Sequence, residues 1–438
     1  MREVTVLGAG LAGSECAWQL ARRGIKVKLW EMKPEKMSPA HTSPYFGELV
    51  CSNSLRSDEL SNAVGLLKAE MRSLGSLIMD SADKHRVAAG GALAVDREGF
   101  ARYITEQLEQ HENVEIIRRE ATDIPEGEVV IATGPLSSDA IAEKIAALCP
   151  DSDLHFYDAV APIVTLESVD MDSAFFASRY GKGSADYVNC PMNKEEYDRF
   201  VEALVTAERA PVHSFDARDP KVYEGCMPIE VLASRGHDAI RFGPMKPVGL
   251  KDPRTGHRPW AVLQLRTENR EKTLFNLVGF QTNLKFGEQK RVFGMIPGLA
   301  HAEFVRYGVM HRNTFLRSPD ILSRNYALDG QPLFRFAGQL TGVEGYMESA
   351  ASGMVAAIGL CKALRGEEEP DFGGQTVLGA LERHVRTPSA DFQPMNANFG
   401  ILDALPTRVR GKRDRYAKLS ERALEALDRI IDRYELRN

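Results

Sequence analysis

Two of the six cysteines sit where a thiol could do chemistry. Cys51 lies in the polar stretch Gly47-Glu-Leu-Val-Cys-Ser-Asn-Ser-Leu-Arg56. Cys226 lies in Glu224-Gly-Cys-Met-Pro-Ile-Glu230, framed by glycine and Met-Pro with acids on both flanks. A thiolate in such a loop is a nucleophile or a proton acceptor. Lys246, Lys251 or a helix end would favour the thiolate of Cys226, and Glu224 would oppose it. The other reading of any cysteine is a small buried hydrophobe. That suffices for Cys16, Cys149, Cys190 and Cys361; for Cys51 and Cys226 the residues leave both readings open. With no C-x-x-C, neither a zinc knuckle nor a thioredoxin-type dithiol is indicated, and no metal site is expected.

A second set of residues speaks of a dinucleotide. Gly8, Gly10 and Gly13 have the spacing G-x-G-x-x-G, with Ala9, Leu11 and Ala12 between them, and Glu31 follows Gly13 by 18 residues. Gly8 allows a tight turn, Gly10 leaves room for a pyrophosphate, and Gly13 lets helix and strand pack closely. A helix N-terminus supplies free N–H groups for the phosphates, and Glu31 can accept hydrogen bonds from a ribose diol. A third set, Gly338-Gln339-Leu-Thr-Gly342-Val-Glu344-Gly345-Tyr346, is a second glycine-rich turn far along the chain.

These residues need elements to position them. Val4, Val6 and Leu7 read as a buried parallel strand, Leu11 to Arg23 as a helix ended by Gly24, and Ile25 to Trp30 as a second strand. Residues 33–58 form a long loop rich in Pro, Ser and His, of the length that serves function. Helices are expected over 59–79 and from Ala94–Arg102 to about Gln110, with strands at Val114–Ile117 and Val129–Gly134. Gly134 suits the passage of a bound dinucleotide. From about 160 to 300 short strands alternate with Pro and Gly, interrupted by a helix at about 194–205. The strand Phe334–Gln339, the second glycine turn and a small-residue helix from Ser349 to Leu364 then resume the first fold. A dehydrogenase needs no such return to its cofactor, whereas large FAD proteins do. Gly338, Gln339, Gly342, Glu344 and Gly345 are therefore assigned to FAD with Gly134 and the first motif. Tyr346 either stacks on the flavin ring or is an ordinary packed aromatic. The fold class is α/β: a Rossmann-like, glutathione-reductase-like FAD-binding domain in two parts, 1–155 and 301–438, with an inserted mixed α/β domain at 156–300. A basic segment (Arg408, Arg410, Lys412, Arg413, Arg415, Lys418) and an amphipathic helix of about 419–434 close the chain.

Composition narrows the class. At 438 residues, 43% apolar and 26% charged, the chain is an ordinary globular protein of two or three domains. No apolar run approaches the ~20 residues of a membrane helix. The first strand starts at once, so no leader and a cytoplasmic location are expected. The net charge of −6 confines any RNA binding to a local basic patch.

The stretches Gly47–Ser54, Tyr223-Glu-Gly-Cys-Met-Pro-Ile-Glu230, Phe242-Gly-Pro-Met-Lys-Pro-Val-Gly249 and Gly338–Tyr346 resemble the bacterial folate- and FAD-dependent tRNA (uracil-5-)-methyltransferases. The likeness runs in order from the first strand to the C-terminal region. It implies that the T-loop uridine at tRNA position 54 is methylated at C5. The one-carbon unit would come from 5,10-methylenetetrahydrofolate, and the reducing equivalents from NAD(P)H through FAD. By resemblance Cys226 is the nucleophile at uracil C6. Cys51 is its partner, as proton acceptor or as stabiliser of the one-carbon unit on the flavin. The 33–58 loop, His41, Arg97 and Lys285 are candidates for the folate site. The basic segment 408–418 and the run Lys285–Arg291 are candidates for tRNA phosphates. The larger flavoproteins that modify wobble uridine share the fold but carry an extra C-terminal domain, for which 438 residues leave no room. A flavin disulfide or amine oxidoreductase, or a non-catalytic FAD- and RNA-binding protein, would leave the two cysteine loops without a use.

Overall fold

The computed structural model describes residues 2–38, 40–148, 154–159, 161–181, 185–210, 227–308, 310–389 and 392–437. Alternating apolar residues at Val4, Val6 and Leu7 make Glu3–Leu7 a central strand, buried from both faces. It pairs in parallel with Lys26–Glu31 on one side and Glu128–Ile131 on the other. Val114–Arg118 and Gln331–Phe336 extend the sheet, and the short strand Ala327–Leu328 adds an antiparallel edge. The parallel strands end together: Leu7 lies opposite Trp30 and Ile131, and Ile131 opposite Phe336. Crevices at such strand ends are where open α/β sheets bind ligands.

Two helices cover one face of this sheet. Leu11–Ala21 crosses Tyr346–Arg365 closely, and a Cβ on Gly353 would lie 2.1 Å from the Ala12 carbonyl oxygen. Tyr346–Arg365 is long and apolar enough to cross a membrane, yet 83% of that stretch is buried inside the protein, as expected of a core helix. It starts three residues before the expected Ser349, so the second glycine turn runs straight into its first turn.

Elsewhere the sequence reading needs correction. The helix expected over 59–79 is two helices, Ala63–Ser73 and Leu77–Lys84. Gly75 breaks it with φ 69°, against the Arg22 side chain, and Ser76 restarts it by accepting a hydrogen bond from Met79 N. The C-terminal helix spans Lys412–Arg433, so part of the basic segment is helical and exposed.

Ala63–Ser73 also carries Glu70, fully buried, whose carboxyl accepts the backbone N–H groups of Val377 and Leu378 at the start of the helix Val377–Arg386. Burial pushes this carboxyl up to about 8, against the lowering effect of the two N–H groups. As the pH rises from the ordinary carboxylate range towards 8, the unfolded chain releases a proton that the folded chain keeps, so stability falls across that window. Thermal melts should show the midpoint dropping between about pH 5 and pH 8 by an amount worth a few kcal/mol, and Glu70→Gln should flatten this dependence. An unchanged slope in the variant would assign the titration elsewhere.

A second, antiparallel sheet has its own core. Its order is Phe175–Ala177, Tyr187–Met192, Ala261–Thr267, Leu274–Leu277, Ile163–Thr165, Phe304–Arg306. Helix Lys194–Thr206 packs on it, started by a reciprocal Asn193–Glu196 capping box. Phe200, Phe280 and Phe293 fill the space between. The chain runs between the two sheets by an antiparallel ribbon, Leu154–Ala159 with Met310–Phe315.

Candidate active site

A cavity of about 420 Å³ opens where the parallel strands end. Near the outer strands it is lined by Trp30, Glu31, Arg119 and Ile141, and around the cysteine loop by Val50, Cys51, Ser54, Arg56, Gly345 and Tyr346. It is one continuous trough from the first glycine turn to Cys51.

The three glycines of the first motif have separate reasons to be glycine. Gly8 has φ 95°, and a Cβ there would lie 2.6 Å from the Ala132 carbonyl oxygen. A Cβ on Gly13 would lie 1.8 Å from the Gly8 carbonyl oxygen, so this residue sets the strand–helix contact. Gly10 lines the cavity, and a Cβ there would meet no protein atom within 4 Å. Its small size therefore leaves space for something that is not the protein, beside the N–H groups of the helix that starts at Leu11. These features fit the pyrophosphate of FAD.

Glu31 is buried and does two jobs. Its Oε2 accepts Ala9 N at 2.9 Å and its Oε1 accepts Lys33 N at 2.9 Å, which braces the turn. Each carboxylate oxygen has a further lone pair for a ribose hydroxyl. Gly8, Gly10, Leu11, Ala12, Glu31, Gly134, Gly338, Gln339, Glu344, Gly345 and Tyr346 all line the cavity. Ala9, Gly13 and Gly342 do not; they build its turns. Gly342, with φ 84°, packs against the Phe392 ring. Gln339 Nε2 donates to Glu344 Oε2 at 2.6 Å and Gly338 N donates to Ser352 Oγ at 2.6 Å, which fixes the second turn.

The Tyr346 hydroxyl accepts the backbone N–H groups of Cys51 at 2.6 Å and Ser52 at 3.1 Å. Burial and the nearby Cys51 push the phenol up, so it stays protonated. The cysteine loop is thus pinned to the first residue of the long core helix, 295 positions away in sequence. From the other side, Arg266 of the second sheet donates to Ser52 Oγ and, at 3.0 Å, to Asn53 Oδ1. Asn53 Nδ2 donates to the carbonyls of Val95 and Thr267. Cys51 therefore sits on the cavity wall at the meeting of both sheets. Cys16, Cys190 and Cys361 are buried thiols whose pKa burial raises, as their structural reading requires. Cys226, with Tyr223, Glu224 and Gly225, lies outside the described residues, as does Cys149.

The folate and RNA candidates separate. His41 lines the cavity, with Nδ1 2.5 Å from Ser38 Oγ. Its loop is organised by Glu48, whose carboxylate accepts Thr42 N, Thr42 Oγ1 and Ser43 N and pairs with buried Lys33. Arg97 is held internally by Glu268 and the Leu49 carbonyl, which takes it away from a ligand's carboxylate. Lys285 pairs with Glu208 and Arg291 with Glu288 on the surface. The six cations of 408–418 are all exposed. Arg56, paired with Glu348 beneath the cavity, and Asn396 in its wall were not singled out from the sequence. Arg56 has φ 62°, a signal that only coordinates carry.

The family model "Glucose inhibited division protein A" matches residues 3–368. A curated relative from Desulforamulus reducens, named Methylenetetrahydrofolate--tRNA-(uracil-5-)-methyltransferase TrmFO, is 58% identical over 99% of this chain and 98% of its own. Relatives of the same name from Acetivibrio thermocellus and Staphylococcus aureus are 56% and 55% identical, each over at least 97% of both chains. Among solved structures, Aquifex aeolicus GidA superposes with a TM-score of 0.70 at 16% identity, covering 99% of this chain and 75% of that one, which shows the shared fold. The chain thus belongs to the glucose inhibited division protein A family and, within it, to the methylenetetrahydrofolate--tRNA-(uracil-5-)-methyltransferases.

Proposed function

We propose that the protein transfers the one-carbon unit of 5,10-methylenetetrahydrofolate to C5 of the T-loop uridine at tRNA position 54 and reduces it to a methyl group, giving 5-methyluridine. The observation that carries this reading is the near-full-length identity of 55–58% to enzymes of that name. A trough that joins a dinucleotide cradle to Cys51 supports it. The cofactor is FAD, which supplies the hydride for the methylene when bound along that trough, with NAD(P)H as the source of its electrons. The compartment is the cytoplasm.

The chain's own groups then have defined work. Uracil C5 is a weak nucleophile. Addition of the Cys226 thiolate to C6 makes C5 an enolate carbon, which attacks the electrophilic methylene as one of its two folate nitrogens leaves. A base removes the C5 proton as the second folate nitrogen leaves, and once the resulting exocyclic methylene is reduced, expulsion of the Cys226 thiolate restores the C5–C6 double bond. In this reading Cys51 serves as that base or holds the one-carbon unit. Tyr346 and Arg266 set the position of its loop. The glycine cradle and Glu31 orient the cofactor.

Purified protein should methylate a T-arm transcript when 5,10-methylenetetrahydrofolate and NAD(P)H are supplied. Methylation from S-adenosylmethionine instead would overturn the reading. The exposed cations of 408–418 carry the RNA phosphates. T-arm affinity should fall at least about tenfold between ~50 and ~200 mM salt, and Arg413→Gln should lower the slope of log K against log salt by about one. A flat salt dependence would remove this surface from the account.

A further inference from the structure

We propose that Tyr180 is a stacking platform for a nucleobase of the RNA substrate, a positioning residue at the rim of the second sheet; this rests on the tRNA-modifying function proposed above. Tyr180 follows the edge strand Phe175–Ala177 and is 66% exposed. Its backbone sits at φ 58°, ψ 20°, a region that bulky side chains rarely adopt. Tyr180 N donates to the Gly249 carbonyl at 2.9 Å, Arg179 Nη1 to the Val248 carbonyl at 2.7 Å, and Arg179 Nε to Gln264 Oε1 at 2.7 Å. The ring itself lies on Gly249, which has φ 83°. A Cβ built there would be 3.0 Å from Cε1 and Cζ and 3.1 Å from Cδ1. Three nearly equal distances mean that Gly249 meets the flat face of the ring, since an approach in the ring plane would leave the two flanking atoms clearly farther away. One face is backed by rigid backbone and the ring is largely in water. Aromatic rings ordinarily gain by burial. Here a sparse conformation is maintained to expose one.

The surroundings match nucleic acid. Residues 241–258 carry five cations, Arg241, Lys246, Lys251, Arg254 and Arg258, and one acid, Asp252. Asp252 pairs with Arg254 at 2.6 Å. Lys246 and Lys251 are exposed on either side of Gly249. In a chain of net charge −6 this stretch is locally basic, with Lys246 and Lys251 its exposed cations nearest Gly249 in sequence. Cations for phosphates beside an open aromatic face are what single-stranded nucleic acid recognises. The platform is also tied to the cysteine. Gln264, which holds Arg179, and Arg266, which holds Ser52 beside Cys51, share one face of the strand Ala261–Thr267, about 7 Å apart. A uridine must leave its stack to reach a reactive pocket, and a fixed ring at the rim can receive the base left unstacked.

The test uses the FAD-loaded full chain and T-arm RNA with 2-aminopurine next to the target uridine. Stacking quenches its fluorescence. Wild type and Tyr180→Phe should quench and bind alike. Tyr180→Leu, which keeps apolar bulk without a π face, should lose the quench and bind about tenfold more weakly. Flavin content and RNA-independent NAD(P)H oxidation should stay unchanged in the variant. If wild type methylates the RNA and Tyr180→Leu shows the same quench and KM, the platform is refuted and the function stands. If wild type neither binds nor methylates T-arm RNA, the function falls and the platform with it.

Discussion

Gly10→Val should yield a folded protein without its yellow colour. A Cβ at Gly10 would meet no protein atom within 4 Å, so the backbone there tolerates a side chain. It projects instead into the cavity beside the N-terminus of Leu11–Ala21, where the pyrophosphate of FAD fits. Overpacking a well-fitted site costs about 1–3 kcal/mol, and FAD affinity should fall roughly ten- to a hundredfold or more. Gly13→Ala is the contrasting case. Its Cβ would come 1.8 Å from the Gly8 carbonyl oxygen, so the strand–helix contact itself must open and the melting temperature should fall together with flavin content. Flavin absorbance per protein and thermal melts, taken on both variants, separate the two effects. A Gly10→Val protein that keeps full flavin would show that the pyrophosphate lies elsewhere.

Cys226→Ala should abolish methylation, by about 10³-fold or more, with flavin content intact. With Cys226 as the proposed C6 nucleophile, the block would precede carbon–carbon bond formation. Cys51→Ala, on the cavity wall beside Tyr346, should also suppress methylation strongly but leave the C6 nucleophile in place. The two are told apart with T-arm RNA carrying 5-fluorouridine, whose fluorine cannot leave as a proton does. A covalent protein–RNA adduct on a denaturing gel should form with wild type and Cys51→Ala and be missing with Cys226→Ala. An adduct formed by Cys226→Ala and lost in Cys51→Ala would exchange the two roles.

How far the sequence led can be read from particular residues. The stretch Gly8–Glu31 was legible as strand, turn, helix and strand because its glycine spacing and apolar period are local, although the backbone that crowds Gly8 is Ala132, far along the chain. The second turn, Gly338–Tyr346, was legible as a glycine-rich turn, and it lines the same cavity as the first, but it was not legible as the anchor of Cys51. That hydrogen bond spans 295 positions, and no periodicity encodes it. The break at Gly75 was missed because the apolar period continues across it, and only the Arg22 contact shows why the chain turns there. Arg97 was weighed as a ligand partner because its charge was visible and Glu268 was far away in sequence. Glu48 carried no motif, yet it organises the loop that holds His41. Arg56 and Asn396 reached the cavity through tertiary packing alone.

The central claim is that the carbon comes from the folate methylene while the hydrogen that completes the methyl group does not come from the folate. The most direct measurement is mass spectrometry of 5-methyluridine from a T-arm transcript, with two donors run in parallel. One is 5,10-methylenetetrahydrofolate deuterated at the methylene, and the other carries deuterium at C6 of the pterin. The account predicts a product methyl that keeps both methylene deuteriums from the first donor and takes none from the second. A methyl group with no deuterium from the first donor, or with deuterium drawn from C6 of the second, would contradict it.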